Sequence, residues 1–412
     1  MICDSQPKLH PRIYNHHTRR HQLCKSGFKE MAFDIIILHS HIHTLLAIFI
    51  LLLTLTVSRS GSAARPSTST TFADDRYQTN SLSKIQAVFV FGDSTVDSGN
   101  NNFLLTDFRS DFQPYGRDFA GGQPTGRFTD GRLVTDFMAS YVGLKDYVPP
   151  YLDPTLSLED LKTGVSFASA ASGYDPLTAK LSNVLPISKQ IEYFREYRKR
   201  MEIEIGKQEI DQIIAHSGFV ISAGTNDFAV NYFLVPIRNQ TYTISEYQQY
   251  LLGQLQQLIQ ELLAEGATKI GVVGLPPIGC LPVVITVFSE DGFAKRECVE
   301  WLSSVARSYN DMVKKELSSE RYQSQGIKIV YADIYTPLNQ IVRNPEKFGF
   351  EEVLRGCCGT GVAETSYLCN PDSDLCPDVS KYAFFDSVHP TEKTYSILFE
   401  SVRPVIDYVV EG

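Results

Sequence analysis

The sequence predicts an α/β fold, a three-layer α/β/α sandwich with a mainly parallel five-stranded sheet. Short apolar segments alternate along the chain with longer stretches of helical periodicity, and this alternation is typical of a sheet covered by helices on both faces. The apolar segments are hydrophobic throughout rather than at every second residue, which indicates strands buried on both faces. Such strands belong to a parallel sheet, in which ligands bind beyond the carboxyl ends of the strands.

Five segments predict the strands, and each of them ends in turn residues. They are AVFVFGD (87–93), GVSFASA (164–170), GFVISAG (218–224), KIGVVGL (269–275) and KIVYADI (328–334). The spacing of apolar residues predicts helices in four further stretches. These are 187–215 with Gly206 as a break, 244–264 followed by Gly266, 293–317, and 391–410.

The N-terminal part of the chain predicts a secretory signal. Residues 1–63 form a basic leader that contains a 13-residue apolar run (45–57), and small residues follow this run near Ala63, where we expect cleavage. An uncleaved membrane anchor is the alternative, but a run of 13 residues falls short of the roughly 20 that span a bilayer. Whether translation starts at Met1 or Met31 is left open.

The chain beyond the leader is acidic. Residues 64–84 are polar and rich in Ser and Thr, which predicts a flexible mature terminus, and residues 85–412 are expected to form a single folded domain. Residues 1–62 hold 7 of the 38 Lys and Arg residues and 3 of the 47 Asp and Glu residues, so the remainder carries a net charge of −13. An acidic chain without a basic cluster argues against a nucleic-acid partner.

Six of the eight cysteines lie beyond the leader, and an even number in an exported chain predicts disulfides. They are Cys280, Cys298, Cys357, Cys358, Cys369 and Cys376. A bond between Cys280 and Cys298 would close a local loop, whereas the pairing of the other four is left open. A zinc site among these four is the alternative, but they contain no C-x-x-C pair.

Ser94 follows the first predicted strand and is the candidate nucleophile. Beyond the leader only two of the nine histidines remain, His216 and His389. Asp386 precedes His389 by three residues, a spacing that lets the carboxylate accept from one ring nitrogen while the other takes a proton from a serine. We interpret His216, at the end of a predicted helix, as structural. In the alternative interpretation, Ser94 and Asp386 only cap turns or helix starts.

Acyl transfer also needs hydrogen-bond donors for the oxyanion. The candidates are the N–H of Ser94, the N–H of Gly173 and the side-chain amide of Asn226, which follow the first three predicted strands. Taken singly, Gly173 and Asn226 are explained as turn residues, but their joint occurrence at successive strand ends favours a catalytic site. The aromatic-rich stretches 103–119 and 230–236 are predicted to line an acyl or phenolic pocket.

The blocks FGDSTVDSGNN, FASAASGYD, SAGTND and DSVHPTE resemble, in this order, the four blocks of the plant GDSL esterase/lipases in the SGNH hydrolase superfamily. The resemblance extends to GLPPIGCLP and CCGTG and is greatest to the extracellular lipase branch. It implies a flavodoxin-like hydrolase domain, secretion, hydrolysis of esters or lipids, and no cofactor. Ser94, Gly173, Asn226 and His389 correspond to the four residues of the superfamily name, and Asp386 corresponds to the acid of the triad.

Two positions depart from the resembled pattern. Thr95 stands where the name motif has leucine, and the second block has Ala171 in a stretch where many relatives have further glycines. Neither change removes a chemically reactive group.

The sequence therefore predicts a serine esterase or lipase, secreted to the extracellular space or cell wall, that acts through an acyl-enzyme. Its expected substrates are lipids, acylated small molecules or acylated wall polymers, and no stable membrane span or metal is expected after signal cleavage. The alternatives are an acyltransferase that uses the same acyl-enzyme and a catalytically inactive protein that binds glycan or lipid. Asn239, in the sequon N-Q-T, predicts a glycosylation site. The oligomeric state is left open.

Overall fold

A computed structural model describes residues 85–235, 237–322 and 326–411 of the chain. The central sheet consists of four parallel strands in the order β1-β2-β3-β4. They are β1 (Val88–Gly92), β2 (Gly218–Ser222), β3 (Lys269–Val273) and β4 (Lys328–Ala332). These strands coincide with four of the five predicted segments, and the parallel α/β fold is confirmed. The predicted leader (1–63) and polar segment (64–84) lie outside the described residues.

The fifth predicted strand, 164–170, lies along the free edge of β1 as an irregular segment. Its backbone exchanges hydrogen bonds with β1, but the pairing amounts to an isolated bridge between Val90 and Ser166. Gly164 has a φ of 97°, outside the extended region, and the Asn100 side chain covers the outer edge by donating to two carbonyl groups of the segment. Four regular strands and one irregular edge segment thus give the flavodoxin-like order, in which β1 lies second.

Ten α-helices surround the sheet in the described ranges. They are α1 (Val134–Tyr141), α2 (Leu158–Lys162), α3 (Pro176–Ser182), α4 (Ile187–Ile205), α5 (Lys207–Ala215), α6 (Ile244–Ala264), α7 (Pro282–Phe288), α8 (Glu300–Leu317), α9 (Tyr335–Arg343) and α10 (Glu392–Glu411). Gly206, with a φ of 88°, separates α4 from α5 and confirms the predicted break. No helix in this part of the chain is both long and apolar enough to cross a membrane.

The helices cover both faces of the sheet, so alternate strand residues contribute to two separate cores. Phe89 and Phe219 pack in one cluster with buried side chains of α4, α6 and α8. Val88 and Val220 belong to the other, with buried side chains of α1 and α10. Successive strand residues point to opposite faces, and the predicted three-layer sandwich is confirmed.

Helix α8 begins at Glu300, later than the start predicted at Phe293. The disulfide between Cys280 and Cys298, and a 2.8 Å bond from Val299 N–H to a backbone carbonyl beside Cys280, hold the preceding residues in a different path. The covalent link therefore determines where this helix can begin.

A second, smaller parallel sheet near the C-terminus pairs β5 (Glu352–Gly356) with β6 (Tyr382–Phe384). Residues 357–376, termed the disulfide loop, form most of the connection between the two strands. The bonds Cys357–Cys376 and Cys358–Cys369 lie within this loop, and Cys280–Cys298 is the third disulfide of the described residues. The prediction of disulfides is confirmed, and the zinc alternative is wrong because these sulfur atoms are bonded to one another.

Candidate active site

Ser94 lies in the turn that follows β1, at the carboxyl end of the sheet. β1 and β2 approach so closely there that a side chain at Gly92 would overlap the carbonyl oxygen of Ser222, and Gly92 has a φ of 144°. The buried side chain of Gln190, from α4, binds both the N–H and the carbonyl oxygen of Gly92 at 2.9 Å. The turn therefore holds Ser94 at the point where the strand order of the sheet reverses, which is where α/β proteins bind ligands.

Ser94, His389 and Asp386 form a continuous chain of hydrogen bonds. Ser94 Oγ lies 2.7 Å from His389 Nε2, and His389 Nδ1 lies 2.7 Å from Asp386 Oδ2. Asp386 and His389 share the short connection between β6 and α10, and all three side chains belong to buried residues. In this arrangement the imidazole can accept the hydroxyl proton through Nε2 while Asp386 keeps the other ring nitrogen protonated.

The Asp386 side chain is held as a carboxylate. Burial by itself would raise its pKa, but the charge and hydrogen bond of His389, with the backbone N–H groups of His389 and Val388, hold the pKa below its ordinary value of 3.8. These two N–H groups donate to Oδ1 at 2.7 and 2.8 Å. The carboxylate is therefore ionised at neutral pH and can stabilise a positive charge on the imidazole.

Asp93 precedes Ser94 but bonds to Thr95. Asp93 Oδ1 accepts from the N–H and the hydroxyl of Thr95 at 3.0 and 2.8 Å, and the same hydroxyl lies 2.8 Å from Ser222 Oγ. Burial raises the pKa of Asp93 to about 6, although these bonds and the charge of His389 act in the opposite direction. Asp93 thus shapes the turn, and Thr95 adds a hydrogen bond that a leucine at this position would lack.

Gly173 and Asn226 lie next to each other beyond the strand ends. Asn226 Nδ2 donates to the carbonyl oxygen of Ser172 at 2.9 Å, which fixes the orientation of the peptide group between Ser172 and Gly173. A side chain at position 173 would collide with the Asp227 carboxylate, which accepts from the N–H of Tyr174 at 2.8 Å. Packing alone therefore requires glycine here.

Three donors near Ser94 are available to a ligand. Within the ranges that the structure describes, the backbone N–H groups of Ser94 and Gly173 have no hydrogen-bond partner, and one hydrogen of the Asn226 amide is left over after its bond to Ser172. Buried N–H groups are rarely left unpaired. Ala171, two residues before Gly173, has a φ of 64°, a conformation that favours glycine.

The sequence reasoning missed three side chains that contact this site. Gln190 occupies a buried position on the apolar face of α4, and a polar residue at such a position is a signal that could have identified it. Tyr115 and Thr365 donate to Asp386 Oδ2 at 2.7 and 3.0 Å. Tyr115 is 271 residues away from Asp386 in sequence, so no local pattern could have indicated the contact.

Two of the aromatic rings after Asn226 belong to the core instead of an open pocket. Phe228 and Tyr232 are both buried, and their rings lie 5.8 and 5.2 Å from that of Tyr247. The expectation that the stretch 230–236 lines a substrate pocket therefore does not hold for its buried tyrosine.

Comparison with known proteins identifies the family. The model of the GDSL-like lipase/acylhydrolase family matches residues 88–402. The chain is 55% identical over 328 residues to GDSL esterase/lipase At5g45960 of Arabidopsis thaliana, an alignment that covers 79% of this chain and 88% of the relative. It is 45% identical over 316 residues to GDSL esterase/lipase APG of the same plant, with 76% of this chain and 89% of the relative covered. The chain therefore belongs to the GDSL-like lipase/acylhydrolase family and is an ester hydrolase.

Proposed function

We propose that this protein is a secreted serine esterase in which Ser94 is the nucleophile, His389 the general base and Asp386 the residue that orients the base. The observation that carries this proposal is the 2.7 Å separation between Ser94 Oγ and His389 Nε2, with the opposite ring nitrogen bonded to a buried carboxylate. A serine hydroxyl is a weak nucleophile until such a base takes its proton.

The reaction proceeds in two half-reactions. Ser94 Oγ bonds to the ester carbonyl carbon while its proton passes to His389 Nε2, and His389 then gives this proton to the departing alcohol oxygen as the C–O bond breaks. Water attacks the acyl-enzyme with His389 again as base, the acid is released, and the proton returns to Ser94. Asp386 stabilises the imidazolium that forms in each half-reaction.

A fluorophosphonate probe, which reacts with activated serines, tests the proposal. Labelling of the folded protein is the expected result, because the base that activates Ser94 toward an ester also activates it toward phosphorus. A folded protein that takes up no label would contradict catalysis and favour the alternative of a lipid- or glycan-binding protein.

We assign the oxyanion site to the N–H groups of Ser94 and Gly173 and the Asn226 amide. This assignment is supported by the unpaired hydrogen that each of the three groups retains at the carboxyl end of the sheet. Donors that are already oriented stabilise the developing negative charge without a cost of reorganisation at the moment of reaction.

Replacing Asn226 with Ala should lower kcat by about 10²- to 10³-fold, the usual cost of removing one oxyanion donor. KM should change much less, because the donor acts mainly on the charge of the transition state. Steady-state kinetics on p-nitrophenyl acetate measure both constants. Asn339→Ala, at a half-buried position on α9 where the amide oxygen accepts from Arg343, is the matched control. A kcat within threefold of that control would remove Asn226 from the oxyanion site.

A small apolar cavity adjoins the turn that carries Ser94. It measures about 50 Å³, and its lining includes Thr95, Ser222, Leu281, Val388 and Leu398. Thr95 and Val388 are the chain neighbours of Ser94 and His389. If this cavity receives the acyl chain, esters of short apolar acids are the expected substrates, since an apolar lining favours methylene groups over hydroxyl groups.

Replacing Leu281 with Phe should fill this cavity and change acyl-chain preference. We expect kcat/KM for p-nitrophenyl butyrate to fall by at least about tenfold relative to the acetate ester, since lost contact with even one methylene is worth about 1–3 kcal/mol. The acetate ester serves as an internal control, and Leu158→Phe at an exposed position controls for the added ring. A ratio equal to that of the wild type would mean that the acyl chain binds elsewhere.

Disulfides and an exposed sequon support a location outside the cell. Three disulfides are typical of exported proteins, and Asn239 lies exposed in the short helical turn Arg238–Gln240, where a glycan could be attached. N-terminal sequencing of protein from the medium tests the cleavage, since residues before Ala63 would contradict it.

A further inference from the structure

The Asp386 carboxylate accepts more hydrogen bonds than the histidine requires. Oδ1 takes the backbone N–H groups of Val388 and His389. Oδ2 takes His389 Nδ1, the Tyr115 hydroxyl and the Thr365 hydroxyl, at 2.7, 2.7 and 3.0 Å. We propose that Tyr115 and Thr365 are positioning residues that set the orientation and charge density of Asp386 and, through it, the basicity of His389.

Tyr115 is fixed in the role of a donor. Its residue is fully buried, and its ring packs against Phe128 and Phe385 with centroids 5.7 and 5.4 Å away. Burial and the charge of Asp386 raise the pKa of Tyr115 well above 10, so the hydroxyl stays protonated. The Ser366 N–H donates to the Tyr115 oxygen at 2.8 Å, which leaves the hydroxyl proton for Asp386.

The backbone of Ser366 is held in an unusual conformation to make this contact. Its φ is 53°, in the left-handed region that a serine rarely adopts. Its hydroxyl oxygen lies 2.6 and 3.0 Å from the carbonyl oxygens of Asp107 and Arg109, which share its single proton and belong to the same loop that carries Tyr115. Two loops remote in sequence therefore meet at the residue that orients the Tyr115 hydroxyl.

The disulfide loop (357–376) carries Thr365 and Ser366, and both of its bonds close it on itself. Its first residues bond to the segment that precedes Asp386. The N–H of Cys357 donates to the carbonyl oxygen of Phe384 at 3.0 Å, and the N–H of Cys358 donates to that of Phe385 at 2.9 Å. On the other side of Asp386, the Ser387 N–H donates to Glu364 O at 2.7 Å. The loop thus contacts the chain on both sides of Asp386 and holds Thr365 against the carboxylate.

These donors affect the proton affinity of the histidine–carboxylate pair. A hydrogen bond withdraws negative charge from Oδ2, so its loss leaves a carboxylate that attracts the imidazole proton more strongly. Among the residues that the structure describes, Asp93 and Tyr395 are further titratable groups close to the pair. The charge of His389 acts to lower the pKa of Asp93, and the charge of Asp386 acts to raise the pKa of Tyr395. Both remain unchanged in the variants below, so differences between variants report the missing donor.

The test compares Tyr115→Phe with Tyr141→Phe. Tyr141 is a matched control because its hydroxyl also donates to an aspartate, Asp407, at 2.6 Å. In Tyr115→Phe we expect kcat for p-nitrophenyl acetate to fall about tenfold, the effect of one lost hydrogen bond to a charged group. The acidic limb of the kcat/KM profile should move upward by about half a pH unit to one unit. Thr365→Val should change kcat and the acidic limb in the same directions, and Tyr141→Phe should change neither quantity.

A second readout does not depend on activity. NMR can follow the titration of the pair through the ring proton of His389, whose signal is assigned by its loss in His389→Gln. The pH of this titration should move upward in Tyr115→Phe by the same amount. The inference rests on the proposed function, but a wild-type protein without esterase activity would refute only that function, because the NMR titration still decides the inference.

One outcome would overturn the inference. The inference is wrong if the pair titrates at the same pH in Tyr115→Phe as in the wild type. This holds whether kcat is retained or falls through loss of stability, because a merely structural role of Tyr115 would leave the titration unchanged. If Tyr115→Phe does not fold, Thr365→Val decides in the same way. Thr365 is only half-buried, and valine preserves its branched shape.

Discussion

Replacing Ser94 with Ala is expected to lower kcat for p-nitrophenyl acetate by about 10⁶-fold, the typical cost of removing the nucleophile of a serine hydrolase. The reason is that no covalent acyl-enzyme can form, so the remaining rate comes from the oxyanion donors and from substrate binding. The fold should be unaffected, because the Ser94 hydroxyl bonds to His389 and to no strand or helix. Kinetics and circular dichroism on the same sample measure both properties.

Ser98→Ala is the matched control for this experiment. Ser98 lies four residues further along the same loop, is 1% exposed, and its hydroxyl has no hydrogen-bond partner among the described residues. The control should keep wild-type activity and lose no stability, because removing an unsatisfied buried hydroxyl costs little. A Ser94→Ala variant as active as this control would exclude Ser94 as the nucleophile.

Replacing Asp386 with Asn should lower kcat by about 10⁴-fold, as in other serine triads whose acid is made neutral. The amide removes the charge that stabilises the imidazolium, and its NH₂ group can donate to Nδ1 and select the wrong tautomer of His389. Stability should fall as well. Both carboxylate oxygens accept from donors, so an NH₂ group faces a donor in either orientation. Activity per folded molecule and the melting temperature are the measurements.

Asp93→Asn tests the assignment of the triad acid directly. Asp93 Oδ1 accepts from the N–H and hydroxyl of Thr95, and an asparagine oxygen can accept the same two bonds. We therefore expect a loss of at most about tenfold, from the missing charge near His389. A larger loss in Asp93→Asn than in Asp386→Asn would reverse the two roles.

Much of the site could be predicted because its parts carry local signals. Ser94 follows a continuous apolar strand, and Asp386 and His389 lie within one turn, so the spacing of three residues is itself a geometric constraint. Tyr115 and Thr365 carry no such signal. Tyrosine and threonine are common in loops, and only the packing of two remote loops brings their hydroxyls to the carboxylate.

The fold was predictable to a similar extent. Four buried strands and the break at Gly206 follow from hydrophobic pattern and backbone freedom, which are properties of short segments. The edge segment 164–170 has the same apolar pattern, but Gly164 and the Asn100 side chain prevent a regular ladder. The start of α8 is set by the bond between Cys280 and Cys298, whose effect on the helix is not visible in periodicity.

The amino-acid sequence by itself determined the class of fold, the presence of disulfides and the candidate nucleophile, base and acid. These features depend on residue types and on their spacing within short segments, which can be read from the sequence without the tertiary structure. Only the tertiary structure decided the pairing Cys357–Cys376 and Cys358–Cys369, the unpaired donors around Ser94 and the contacts of Tyr115 with Asp386. The contact of Tyr115 with Asp386 joins segments far apart in sequence, whereas the two disulfides select one of several possible pairings within a single loop. Both follow from the packing of the whole domain.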